Sequence, residues 1–219
     1  MKGWQMKKFQ SIPRKLTVRL IMQASTVLVA GGLAFAAVAQ QAAPDQQMKS
    51  LSSEVIVLIK GDKLIQQGDP KRIAEVIETK IVPQFNLARM TALAVGANWR
   101  KATPDQQKQL AEQFKTLLVR TYSSGLSAYR DQQIDFKPLR AAAADTEVVV
   151  KSEVKRSGGE PITIDYSLEK SSGDWKVYDV AIGGVSLVTT YRDSFREEIR
   201  SSGIDGLIKL LIEKNQGKK

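Results

Sequence analysis

The chain contains no cysteine and no histidine, and only 6% of its 219 residues are aromatic. Without cysteine there can be no disulfide framework, no thiol nucleophile and no lipid-modified N-terminal Cys. Without histidine the commonest general base and the commonest metal ligand are both missing. There is no G-x-S-x-G elbow and no glycine-rich phosphate loop. Gly158-Gly159 and Gly183-Gly184 are isolated pairs, read as a hairpin turn and a strand end. Basic residues are not interleaved with aromatics as on a nucleic-acid-binding surface. Residue types thus support no catalytic group, no metal, no cofactor and no nucleic acid, although the carboxylates leave an acid-based enzyme open.

Acids are also missing from the N-terminus. Residues 1–19 carry Lys2, Lys7, Lys8, Arg14, Lys15 and Arg19 and no Asp or Glu. An apolar run follows, densest from Val27 to Val38, and ends in Ala37-Val38-Ala39 before Gln40. A basic start, an apolar stretch and a small-x-small end describe a cleavable export signal over residues 1–39. The alternative is a retained anchor, since from Leu20 the run is about long enough to span a bilayer. Gln23, Ser25, Thr26, Gly31 and Gly32 weaken that reading. Removing the leader leaves 180 residues, the size of one domain over 40–219. It also takes away six of the 33 basic residues, so the formal charge falls from +10 to +4. That charge fits ordinary solubility or a mild preference for anionic surfaces.

The first half of the mature chain is helical in pattern. After a polar lead-in over Gln40–Gln47, the residues Met48, Leu51, Val55, Leu58, Ile59 and Ile65 form a stripe that predicts a helix to about Gln67. Asp69-Pro70 restarts the chain, and Ile73, Val76, Ile77 and Ile81 carry a second helix ended by Pro83. Phe85 to Val95 predicts a short third helix closed by Gly96, with Trp99 in a loop. Thr103-Pro104-Asp105-Gln106 is a strong start signal. The helix it opens carries Leu110, Phe114, Leu117, Leu118, Tyr122, Leu126 and Tyr129 for more than five turns.

The second half alternates. Ile134 and Phe136 suggest a short strand. Val148, Val150 and Val154 form one face of the next, and Ile162, Ile164, Tyr166 and Leu168 one face of a third. The opposite faces carry charge, as expected of an antiparallel meander with one wet side. Trp175 to Ile182 differs, because Val177, Tyr178, Val180 and Ile182 fall on both faces, so this strand asks for cover on both sides. From Val188 the spacing turns helical through Tyr191, Phe195 and Ile199 to about Ser202. After Gly203 a last short helix carries Ile204, Leu207, Leu210 and Leu211. Helices, then a sheet, then helices predict an α+β fold: a mostly antiparallel four-stranded sheet packed by about six helices.

Two strand acids are candidates for chemistry. Asp165 lies on the wet face. Asp179 can pair with a basic residue, cap a backbone group or act with Tyr166 as a catalytic pair. The apolar faces read equally well as dense core or as the wall of a hollow, because periodicity does not distinguish them.

The segment W-K-V-Y-D-V-A-I-G-G-V-S-L-V-T-T-Y-R-D-S-F (Trp175 to Phe195), the ending over Gly203 to Leu211, Phe85-Asn86-Leu87 with Met90, Trp99 to Gln106, and Phe114 with the Leu117 to Tyr122 run together resemble the MlaC family of periplasmic phospholipid-binding, or toluene-tolerance, proteins. The resemblance covers essentially the whole mature chain. Asn86, where an acid is commoner, and Thr190, where an Asn is commoner, depart from the pattern without touching its apolar positions. The resemblance implies an antiparallel sheet curved around an apolar pocket. It also implies a phospholipid ligand, partners in an inner-membrane ABC transporter complex and an outer-membrane lipoprotein–porin complex, and a monomer needing no cofactor. The lipid-binding residues expected on this basis are Phe85, Met90, Phe114, Leu118, Tyr122, Val150, Val154, Ile164, Tyr166, Val177, Val180, Val185, Leu187, Tyr191 and Phe195. The competing readings are a carrier of another lipid such as a hopanoid, a small periplasmic enzyme of the isomerase or dehydratase type, and an interaction module for exported proteins.

Overall fold

The computed structural model describes residues 42–127, 129, 131–142, 144–156 and 158–217; the leader expected over 1–39 lies outside them. Helix α1 runs from Pro44 to Gly61, with Pro44 preset for the first helical turn. It therefore starts inside the stretch expected to be a polar lead-in. Gln47 ties it down there, donating to the carbonyl of Trp175 at 3.0 Å and to Gln84 Oε1 at 2.9 Å. The helix also stops earlier than its apolar stripe. Asp62 adopts an extended conformation and caps α2 (Lys63–Gln66), accepting from the amides of Leu64 and Ile65. An Asp side chain competes with the helical backbone for local donors, and here it splits one predicted helix in two.

Asp69 caps α3 (Pro70–Val76). The chain then widens into a π-turn over Ile77–Ile81 and tightens into a 3₁₀ turn over Val82–Gln84, where Pro83 cannot donate. Helix α4 spans Leu87–Val95. Its cap explains the unusual Asn86: Oδ1 accepts from the Arg89 amide at 3.0 Å while Nδ2 donates to Glu169 Oε1 at 2.7 Å. A carboxylate could make the first bond but would confront Glu169 in place of the second. Trp99 lies in a 3₁₀ turn over Gly96–Lys101. Helix α5 (Pro104–Tyr122) opens with the expected capping box between Thr103 and Gln106. It ends at Tyr122, so Leu126 belongs to a separate single turn, α6 (Ser124–Ser127).

The sheet has five antiparallel strands in sequence order: β1 (Gln133–Phe136), β2 (Glu147–Arg156), β3 (Gly159–Ser171), β4 (Asp174–Ile182) and β5 (Val185–Ser186). The fifth, only two residues long, is the one the pattern did not predict. Gly183 and Gly184, both with positive φ, make the two-residue turn that folds Val185 back onto Ile182.

Strand β4 is not covered on both sides. Leu168 pairs with Val177 and Ser167 with Asp179, leaving Tyr178 as the extra residue of a β-bulge. The bulge shifts the alternation by one, so Trp175, Val177, Val180 and Ile182 all share the face of Ile164, Tyr166 and Leu168. Tyr178 turns to the outer face, donates to Glu147 Oε2 and lies under the Arg89 guanidinium at 3.8 Å. Arg89 also pairs with Glu147 and Glu169, pinning α4 to β2 and β3.

Helix α7 (Leu187–Asn215) begins directly after β5 and holds one internal break, Gly203 with φ 72°. The backbone leaves the helical conformation there, so the two expected C-terminal helices form and meet at this glycine. Its N-terminus is fixed twice. Ser186 accepts from the Thr189 amide at 3.1 Å. Asp179 accepts from the Val188 amide at 3.2 Å and from the Ser186 hydroxyl at 2.6 Å. Asp179→Ala should therefore lower the unfolding free energy by about 1–3 kcal/mol, as expected for orphaned cap donors. Urea unfolding checks this, and an unchanged midpoint would remove Asp179 from the cap.

Three packed clusters result. One joins α4, α5 and α7 around Met90, Leu110, Phe114, Phe195, Leu207 and Leu211. The second lies under one end of the sheet around Met48, Val148, Val150, Leu168, Trp175 and Val177. The third is Ile59, Ile65, Ile73, Val76 and Ile77.

Candidate functional site

The sheet's inner face is filled at one end and hollow at the other. Val148, Leu168 and Val177 stand in register across three strands, and all are buried under α1. The next row along is Val150, Tyr166 and Val180, three residues on from Val177 in β4 because of the bulge, and beyond it Ser152, Ile164 and Ile182. Ile134, Val154 and Ile162 form the last row. Cover by helices thins along this series, and Ile182 is already 36% exposed.

Above the thinly covered rows lies a cavity of about 650 Å³, walled by α1 through Met48, Leu51, Val55 and Ile59, by α6 through Leu126, and by the sheet through Val154, Ile164, Tyr166 and Val177. A second cavity of about 160 Å³ lies between the π-turn, α4 and α5, bounded by Ile77, Met90, Leu118, Val180 and Leu187. Ile81, Phe85, Tyr122 and Leu126 border both, so the two lie side by side as one divided hollow, with these four residues as the neck of wall between them. Its walls draw on all three packed clusters: it is the space where they fail to meet. The volume is within the range of small-molecule pockets, and the lining is almost wholly apolar.

Polar groups in the wall are few. Tyr166 stacks on Phe136 at 6.4 Å, with the hydroxyls of Ser152 from the sheet and Ser52 from α1 near its own. The surrounding protein desolvates this phenol and pushes it up. Burial likewise raises the phenol of Tyr122, which contacts the hydroxyl of Tyr191. Tyr166 and Asp179 lie on opposite faces of the sheet, because Tyr166 pairs with Val180 and Asp179 with Ser167. They do not form a catalytic pair. Among the described residues no cluster of His, Cys, Asp or Glu is arranged to hold a metal.

The fifteen expected lipid-binding residues divide into ten that border the hollow and five that do not. Phe85, Met90, Leu118, Tyr122, Val154, Ile164, Tyr166, Val177, Val180 and Leu187 border the hollow. Phe114, Val150, Tyr191 and Phe195 do not; they belong to the solid clusters, with Phe114 1% exposed and ringed by Tyr191 and Phe195. Val185 sits on the hairpin after the glycine turn, is 60% exposed and borders neither cavity. The α1 residues Met48, Leu51 and Val55, the π-turn residues Ile77 and Ile81, and Leu126 also border the hollow and are not among the fifteen expected. Their helical stripes were visible, but a stripe alone does not say whether it faces packed atoms or a void.

Comparisons with known proteins agree with this geometry. The model of the MlaC protein family matches residues 49–213. The toluene tolerance protein ttg2D of Pseudomonas putida is 24% identical over 163 residues, covering 74% of this chain and 75% of that protein. The intermembrane phospholipid transport system binding protein MlaC of Haemophilus influenzae is 22% identical, covering 77% and 80% respectively. A phospholipid-binding protein from Ralstonia solanacearum, solved in complex with a phospholipid, superposes with a TM-score of 0.76 at 41% identity, covering 80% of this chain and 98% of that one. With the family model spanning most of its length, its α+β architecture shared and an apolar hollow under the sheet, this chain belongs to the MlaC family.

Proposed function

We propose that this protein is a soluble, monomeric periplasmic carrier that binds phospholipid tails in the apolar hollow and shuttles the lipid between an outer-membrane lipoprotein–porin complex and an inner-membrane ABC transporter complex, maintaining outer-membrane lipid asymmetry without catalysis. Residues 1–39 would direct export and be removed, leaving one domain over 40–219. The observation that carries the reading is the hollow itself, about 650 Å³ beside a further 160 Å³ with which it shares an apolar wall. Transfer of apolar chain into a dry site gains about 0.8 kcal/mol per methylene, so two long tails amount to on the order of 20 kcal/mol. Free lipid therefore does not cross water unaided, and a carrier has to enclose it. The neck residues Phe85 and Tyr122 and the wall residues Ile164, Val177 and Val180 would contact the tails.

The test is direct. Organic extraction of the purified mature protein, followed by mass spectrometry, should release stoichiometric phospholipid; a hopanoid in its place would redirect the substrate class, and an empty extract from a solidly packed protein would remove the carrier reading. Lipid should also stabilise the fold, because it binds the folded state and fills space that otherwise lacks packing partners. A thousandfold excess over Kd contributes about 4 kcal/mol, on the order of ten degrees in Tm for a domain of this size. Equal melting temperatures for loaded and stripped protein would contradict it.

A further inference from the structure

Among the described residues that border the hollow, Lys115 is the one formally charged side chain. It lies on α5, and Leu118, Val119 and Tyr122 follow it along the wall of the smaller cavity. Its side chain is 17% exposed, with the ammonium 3.1 Å from Glu78 Oε1 and 3.2 Å from Glu112 Oε2. Both carboxylates are largely exposed. Burial pulls the ammonium down, while the two carboxylates more than offset this and keep it charged. Glu78 reaches this point from the π-turn, whose Ile77 and Ile81 line the same cavity. One cation and two flanking carboxylates thus cluster at the edge of a greasy compartment. An ion pair meant only for the surface contributes little and does not require an ammonium against an apolar wall.

The geometry points to Lys115 as the contact for a lipid phosphate, with Glu78 and Glu112 receiving a cationic amine of the same headgroup, so that the site selects a zwitterionic aminophospholipid over an anionic one. The tails then run from the smaller cavity through the neck of Ile81, Phe85, Tyr122 and Leu126 into the larger. A phosphate beside Lys115 alone would accept any phospholipid. The adjacent carboxylates reward a primary or quaternary ammonium, which a phosphatidylglycerol headgroup, charged only at its phosphate, cannot offer. The proposal rests on the carrier reading and adds to it the headgroup class.

The experiment uses stripped mature protein incubated with vesicles of equal parts phosphatidylethanolamine and phosphatidylglycerol, then re-isolated and extracted. The wild type should take up mainly phosphatidylethanolamine. Lys115→Met, which keeps the aliphatic stem, should lose phospholipid uptake about tenfold, the factor carried by one charge-assisted hydrogen bond. It should still bind a fatty alcohol, which has tails but no phosphate and reports that the hollow is intact. Lys115→Arg should retain uptake, and Glu78→Gln combined with Glu112→Gln should shift selectivity toward phosphatidylglycerol. A wild type that takes up no phospholipid would defeat the carrier reading. A wild type that takes up phospholipid but shows no headgroup preference, or a Lys115→Met protein with unchanged uptake, would defeat this assignment alone. Inorganic phosphate should not displace lipid, and displacement without any headgroup preference would make the site one for free anions and overturn the proposal.

Discussion

Val180→Asp is expected to abolish co-purifying phospholipid. Val180 stands opposite Tyr166 on the inner face of the sheet and borders the smaller cavity beside Met90, Leu118 and Leu187. A carboxylate there has no aqueous side. It must either take up a proton or draw water into a compartment whose walls offer it almost no partners. Each methylene that then meets water instead of hydrocarbon forfeits about 0.8 kcal/mol, so a few methylenes suffice to tip the balance toward the donor membrane. The same burial threatens the fold, so a companion variant is needed. Leu187 borders the same cavity but is the first residue of α7, where the helix dipole favours an acid. Leu187→Asp should thus put charge into the wall at a lower cost in stability. Circular dichroism would verify that both variants fold, and extraction would measure their lipid. A folded Leu187→Asp protein carrying wild-type amounts of phospholipid would disprove the assignment of this wall.

Much of the fold was legible because local chemistry and tertiary packing agree. The Thr103–Gln106 capping box, the Asp69-Pro70 start and the alternation of Val148 through Leu168 each lead to the element that forms. Where the pattern misled, a single residue with a competing preference is responsible. Asp62 captured the amides of Leu64 and Ile65 and ended α1 early. Tyr178 was read as part of a regular strand, so Val177 and Val180 seemed to point to opposite faces; one bulged residue reconciles them. Gly183-Gly184 reads in sequence as a strand end, whereas two positive φ values make it a turn back into β5.

The site was legible only in part, for a different reason. Periodicity reports which face of an element is apolar, and Phe114 and Leu118 share a face of α5. Phe114 meets α7 in a filled cluster, while Leu118, one turn on, borders the void. The difference arises from how far apart three clusters end in space, which no single helix or strand encodes. Resemblance to a family supplied the idea of a pocket. The geometry separates the side chains that enclose it from those that brace it.

That separation predicts a second large effect, with the opposite signature. Phe114→Ala should cost about 3–5 kcal/mol of stability, the range for deleting a buried aromatic ring. It should do so without removing the capacity for lipid. The ring is 1% exposed and meets Tyr191 and Phe195 edge-on, each at 5.2 Å. It holds α5 against α7, behind the wall rather than in it. A domain of this kind has only about 5–15 kcal/mol in total, so the loss should show as a large fall in the urea midpoint of stripped protein. At low temperature, where the variant remains folded, lipid extraction should still find phospholipid. Ile162→Ala should behave the other way round. Ile162 borders the larger cavity with open space already beside it, so truncation creates little new void and costs less stability than at a packed site. It does remove apolar surface that a tail would touch. If Phe114→Ala instead loses lipid while keeping its stability, the braced half and the hollow half of this fold have been assigned the wrong way round.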